Sequence, residues 1–153
     1  MTGLTYMAEK SKKHYLKGAT VMNEVLKFLT DNSPFYLATM DGDLPRVRPF
    51  GFAMEYQGKL CFCTNNQKPV YRQLKANPNF EISATAKTGE WLRLKGKAVF
   101  NTDKQSKRAA LDVMPILKNM YSVEDEIFET FYIAEAEATF ADMKGASRTI
   151  KGL

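Results

Sequence analysis

Two cations on either side of a predicted β-hairpin, Arg48 and Lys68, are the side chains of this sequence best suited to chemistry on an anion. Arg48 lies in Pro45-Arg46-Val47-Arg48-Pro49-Phe50-Gly51-Phe52, and its forked guanidinium matches the geometry of a phosphate. Lys68 lies in Thr64-Asn65-Asn66-Gln67-Lys68-Pro69-Val70-Tyr71. Pro69 suits the first position of a helix, where its missing N–H is no loss. A helix N-terminus also presents unpaired N–H groups and the positive end of a dipole. Taken singly, Arg46, Arg48 and Lys68 read as ordinary surface charge. Their combined spacing reads as a holder for an anionic cofactor.

The elements that must position these residues are short. Thr20 is suited to cap a helix whose apolar face is Val21, Met22, Val25, Leu26 and Leu29. Strands follow over Phe35 to Met40, Pro45 to Tyr56 and Lys59 to Thr64, joined by the turn Asp41-Gly42-Asp43 and the hairpin Gln57-Gly58. In the long second strand Arg46, Arg48, Phe50, Phe52 and Met54 share a face. A helix from Pro69 to about Ala76 buries Val70 and Leu74. Strands over Phe80 to Ala86 and Trp91 to Phe100 come next, the latter with Gly96 as a bulge. Thr102-Asp103 caps a helix to about Val113, and Pro115 starts a second helical piece. The last strand, Phe128 to Phe140, sets Tyr132, Ala134, Ala136, Ala138 and Phe140 on one face. The expectation is a mainly β fold with helical additions, a six-stranded antiparallel barrel.

At 153 residues, with 44% hydrophobic and 25% charged content, the chain reads as one globular domain. The net charge of +5 sits on its ends: residues 1–17 and 142–153 carry the whole excess, and the stretch between them is neutral. The division expected is a basic N-terminal extension (1–18), a core domain (19–142) and a basic C-terminal tail (143–153). A nucleic-acid-binding domain would carry its basic stripe on the folded body, so no nucleic-acid partner is expected. With no long apolar run and no apolar signal core, no membrane span and a cytoplasmic location are expected. Cys61 and Cys63 are the only cysteines and His14 the only histidine, which leaves no metal site and points to reduced thiols. His14 belongs to a polar, exposed stretch, Lys12-Lys13-His14-Tyr15.

The ordered set Phe35-Tyr36-Leu37-Ala38-Thr39, Asp41-Gly42-Asp43, Pro45-Arg46-Val47-Arg48-Pro49-Phe50, a strand ending in Thr64, Lys68, Asn77-Pro78 and Trp91-Leu92-Arg93-Leu94-Lys95-Gly96 resembles the pyridoxamine 5'-phosphate oxidase-like FMN-binding split barrels, and within them the nitroimidazole-resistance (Nim) branch. The resemblance covers about residues 22–141. It implies a homodimer with FMN at the subunit interface. It also implies FMN phosphate contacts from Arg48 and Lys68, and the strand at Pro49 and Phe50 beside the flavin ring. Thr64 and Asn65 belong to the same pocket, and Trp91 is the residue that the partner chain brings to the flavin. The sequence lacks the C-terminal substrate motif of the vitamin-metabolising oxidase, and Cys63 stands where Nim proteins often carry a histidine. What the resemblance implies is an FMN-dependent oxidoreductase acting on a small planar, electron-poor or conjugated substrate, with NADH or NADPH as a possible donor. The alternative is a non-catalytic flavin- or haem-binding carrier or sensor.

Overall fold

The computed structural model describes residues 21–153. Thr20, the expected helix cap, and the basic extension that carries His14 lie outside the described residues. A helix runs through residues 21–31 (α1), with Met22, Val25 and Leu29 buried at helical spacing. The strands are β1 (Phe35–Asp41), β2 (Leu44–Phe50), β3 (Met54–Tyr56), β4 (Lys59–Asn65), β5 (Asn79–Thr85), β6 (Trp91–Phe100), β7 (Phe128–Ala141) and β8 (Ser147–Lys151). Between them lie α2 (Pro69–Ala76), α3 (Lys104–Val113) and a 3₁₀ segment, Pro115–Asn119. No helix of the described residues is long and apolar enough to cross a membrane.

The strands form one antiparallel sheet in the order β2-β1-β5-β6-β7-β4-β3, with β8 added on β7. β7 is the seam. Its first residues, Phe128 to Tyr132, pair with β4, its last, Glu137 to Ala141, pair with β8, and β6 runs along its other edge. Midway, the β6–β7 register shifts between Lys95 and Lys97. Gly96 sits in that shift, as the sequence pattern expects. A Cβ there would lie 2.6 Å from both the Ala134 carbonyl oxygen and Ile133 Cγ1. On β7 the irregularity falls at Glu135, whose φ is +52°.

This bulge corrects one expectation. The alternation places Tyr132, Ala134, Ala136, Ala138 and Phe140 on a single face, but the inward side changes phase. Phe131 and Ile133 are buried before the bulge, and Ala136 and Ala138 after it. One extra residue in a strand of period two exchanges its faces.

The strand count also differs from six. Pro45 to Tyr56 is two strands, because the chain leaves the sheet at Gly51–Ala53. There it passes between two cores: Ala53 packs in the main cluster with Phe35, Leu37, Phe62 and Phe131, whereas Phe52 packs in a second cluster under α3 and the 3₁₀ segment. β8 is the other addition. Residues expected as a basic tail pair with β7, Thr149 Oγ1 lies 2.9 Å from Thr139 Oγ1, and Arg148 is bonded to the Glu24 carboxylate.

β4 divides the two cores. Leu60 and Phe62 face the main one, while Cys61 and Cys63 face the second. Both cysteines are free thiols on one side of the strand. The second core is closed by α3, whose start is fixed by a capping box. Asp103 accepts from Ser106 N–H at 2.7 Å, and Ser106 Oγ accepts from Asp103 N–H at 3.0 Å.

Because a methyl group at position 96 meets backbone as well as a side chain, Gly96→Ala is expected to destabilise the fold by about 1–3 kcal/mol. Urea denaturation checks this, and an unchanged midpoint would show that the β6–β7 crossing has slack.

Candidate functional site

A groove of about 220 Å³ opens at the C-terminal end of β4. One wall is the end of β2 and the start of the β2–β3 connection, Pro49 to Phe52, and the floor is Cys63 and Thr64. Lys68 stands at one side, and Met114, Leu117, Met120 and Tyr121 supply an apolar roof from the end of α3 and the 3₁₀ segment.

The polar side of the groove is set by the start of α2. Pro69 occupies the first turn, and no side chain caps the helix at Lys68. The Lys68 ammonium is exposed and has no acidic partner among the described residues. Thr64 Oγ1, on the floor beneath, is buried without a hydrogen-bond partner among the described residues. Buried hydroxyls are almost always satisfied. A cation, an uncapped helix start and an orphaned hydroxyl around one groove make a donor-rich, acid-free surface, which suits a phosphate.

Arg48 does not line the groove. Its side chain crosses β1 toward α2: Nη1 donates to Leu37 O at 3.2 Å and to Thr39 Oγ1 at 2.6 Å, and Nη2 donates to Gln73 Oε1 at 2.6 Å. Thr39 Oγ1 in turn donates to Gln73 Oε1 at 2.7 Å. All these acceptors are neutral, so the guanidinium keeps its full charge, and desolvation by burial lowers its pKa. Gln73 lies about 6 Å along the helix axis from Pro69, so Arg48 and Lys68 meet opposite ends of the same short stretch of α2.

The other expected site residues separate. Pro49, Phe50 and Thr64 line the groove. Asn65 sits behind it, with Nδ2 donating to Tyr121 Oη at 2.9 Å and Oδ1 accepting from the Gln67 N–H at 3.1 Å. Trp91 is at the far end of the sheet, half-buried and paired with Thr85 and Ala141 at the start of β6, away from this groove. Sequence reasoning passes over Gln73 and Thr39, and it reads Met114, Met120 and Tyr121, at near-helical spacing, as core rather than as ligand contacts, whereas all three line the groove. Gln73 had a signal: it falls between Val70 and Leu74 on the apolar face of α2, where a polar side chain needs a reason.

Both thiols are held protonated by burial. Cys61 is pushed up to about 11, and Cys63 to about 12 against the opposing pull of Lys68. A larger hollow of about 460 Å³, between β1, β5 and β6, has its cations neutralised: Lys95 pairs with Glu137 at 2.9 Å and Lys97 with Glu135 at 2.7 Å. An anion gains less there. Among the described residues no group of three His, Cys, Asp or Glu is placed to hold a metal ion.

Residues 21–144 match the family model for pyridoxamine 5'-phosphate oxidase, and the chain belongs to that family. Its place is in the Nim-like branch. A NimC/NimA family protein from Clostridium acetobutylicum is 43% identical, with a TM-score of 0.80 over 84% of this chain and 93% of that one. More distant structures share the split-barrel fold alone. A heme-binding protein from Mycobacterium smegmatis has 16% identity and a TM-score of 0.66, over 85% of this chain and 57% of that chain. PhzG from Burkholderia lata, in complex with tetrahydrophenazine-1-carboxylic acid, has 16% identity and a TM-score of 0.54, over 94% and 85%. No curated protein matches the chain. The family includes FMN-binding oxidoreductases.

The thiols have a pH signature. The unfolded chain releases their protons near the ordinary value of 9.0, and the folded chain only toward 11 and 12. Their contribution to stability is therefore complete below about pH 9 and falls as pH rises toward 12. Alkylation of the native protein at pH 8 should be slow at both cysteines and become fast on unfolding. Rapid labelling of native Cys63 would show that its thiol is open to solvent.

Proposed function

We propose that this protein is an FMN-binding homodimer, and an oxidoreductase for small planar, electron-poor or conjugated molecules. The observation that carries the reading is the conjunction in one groove of Lys68 without an acidic partner, the uncapped Pro69 helix start and the unpaired Thr64 hydroxyl. Lys68 and the first turn of α2 would hold the phosphate, with Arg48 supplying a second positive charge through its neutral cradle. Pro49 and Phe50 would flank the ring system, and Asn65 steadies the opposite wall. FMN supplies the hydride transfer when bound, so the protein need only bind, orient and shield it.

Two features favour a second copy. The groove, at about 220 Å³, is below the roughly 300–1,000 Å³ usual for a small-molecule pocket, so one chain encloses only part of a flavin. On the outer face of the sheet, Tyr36 and Val47 are 52% and 69% exposed, an apolar patch that a partner would cover. Trp91, remote from its own chain's groove, is then available to the partner's site. NADH or NADPH is the donor class expected. A haem carrier is the second reading, favoured by the mycobacterial relative. Against it, among the described residues the groove offers a protonated Cys63 thiol and two methionine thioethers, and no histidine. The Nim-like placement and the aromatic and apolar walls together direct the substrate class toward flat conjugated molecules.

Equilibrium titration with FMN tests the site. Lys68→Ala is expected to weaken binding by about one to two decades, the loss of a charge-assisted hydrogen bond, and Arg48→Ala by less, since its donors are held by Leu37, Thr39 and Gln73 and only its charge reaches the groove. Arg48→Ala leaves the Thr39–Gln73 bond in place, so the fold should survive it. Riboflavin should bind far more weakly than FMN to the native protein. Unchanged affinity in both variants would move the phosphate elsewhere, and a Soret band in the purified protein would replace the flavin reading with the haem one.

A further inference from the structure

Tyr121, which the sequence pattern reads as core, is a groove residue. Its ring stacks on the fully buried Phe128, with centroids 4.5 Å apart and planes 11° from parallel. Its position is therefore fixed by packing. The orientation of its hydroxyl is fixed by Asn65. Asn65 Oδ1 is occupied by the Gln67 N–H at 3.1 Å, which leaves Nδ2 to face the phenol and donate to Oη at 2.9 Å. The phenol oxygen thus acts as acceptor toward Asn65, and its own proton must point elsewhere. Among the described residues no acceptor takes that proton, and the side chain lines the groove beside Met120 and Leu117. An otherwise apolar roof carries one hydroxyl donor, held by a rigid stack and polarised by the amide behind it.

We propose that the Tyr121 hydroxyl donates a hydrogen bond to a carbonyl or nitro oxygen of the planar conjugated molecule bound in the groove, and that Asn65 is the positioning residue that keeps its proton free for this. The inference rests on the reading of the groove as a flavin site. The oxygen can belong to the flavin ring or to the molecule that exchanges electrons with it; the chemistry recognised is the same. A single donor in an apolar wall discriminates sharply, because a ligand that covers the hydroxyl without a matching oxygen leaves its proton unpaired.

The test compares wild type, Tyr121→Phe and Asn65→Asp by equilibrium titration with FMN, 1,4-naphthoquinone and naphthalene, read by flavin absorbance and by intrinsic protein fluorescence. Tyr121→Phe keeps the ring on Phe128, so the groove keeps its shape. It should weaken one oxygen-bearing ligand by about three- to tenfold, the worth of one hydrogen bond, and leave naphthalene unaffected. A loss confined to FMN assigns the oxygen to the flavin, and a loss confined to the quinone assigns it to the electron acceptor. In Asn65→Asp a carboxylate oxygen replaces the amide donor and accepts the phenol proton, so quinone binding should fall as in Tyr121→Phe if the acceptor is the quinone. FMN binding should fall likewise if it is the flavin. Equal affinities in wild type and Tyr121→Phe overturn the proposal, as does a loss that naphthalene shares with the quinone. Wild type that binds the quinone but not FMN sinks the flavin reading and leaves the Tyr121 comparison decisive on the quinone alone. Wild type that binds none of the three overturns both.

Discussion

The barrel depends on one close backbone crossing. Gly96 lets β6 pass so near β7 that no side-chain carbon fits between them, and β7 responds with a left-handed residue at Glu135. That irregularity lets one strand serve two neighbours in turn on the same edge, β4 with its first half and β8 with its second. β4 in turn separates the two cores and delivers Cys63, Thr64 and Asn65 to the point where α2 begins. The floor of the groove is thus a consequence of a steric rule at the far side of the sheet.

Charge is distributed with the same economy. About half of the cations among the described residues pair with a carboxylate on the surface, as Lys95 does with Glu137 and Arg93 with Glu81. Such exposed pairs contribute little to stability, but they neutralise the outer faces. Arg48 and Lys68 are among the cations that do not pair in this way. Lys68 has no acidic partner among the described residues, and Arg48 is partly desolvated among neutral acceptors. Two positive groups against one short helix, Lys68 at its start and Arg48 reaching Gln73 from β2, create a field that a phosphate monoester satisfies better than a neutral ligand. The same field acts on Cys63, but burial outweighs it and the thiol stays protonated. The floor therefore adds no negative charge to oppose the phosphate.

Much of this was legible in the sequence, and the omissions have physical causes. The hairpin at Gln57-Gly58, the α3 cap at Asp103 and the bulge at Gly96 are local chemistry, and each stands where its residues imply. The phase change along β7 was not legible, because a bulge on one strand is written on its neighbour: Gly96 carries the signal and Ala134 to Glu135 the effect. The break at Gly51 to Ala53 depends on two cores that exist only after folding. Strand β8 is too polar to announce itself, with Ser147, Arg148, Thr149 and Lys151 in five residues. In the groove, Pro49, Phe50, Thr64 and Lys68 came together as the motif suggested. Arg48 turned instead to Thr39 and Gln73, and Tyr121 arrived from a segment remote in sequence. Contacts between distant segments are what periodicity cannot encode.

The central claim is that two chains of this fold jointly hold a phosphorylated flavin. Native mass spectrometry of the protein as purified, followed by denaturation and identification of what is released, addresses it most directly. The account expects two chains with two bound molecules, released as FMN. A single chain that takes up no FMN when it is added, or a chain that releases haem, would contradict it.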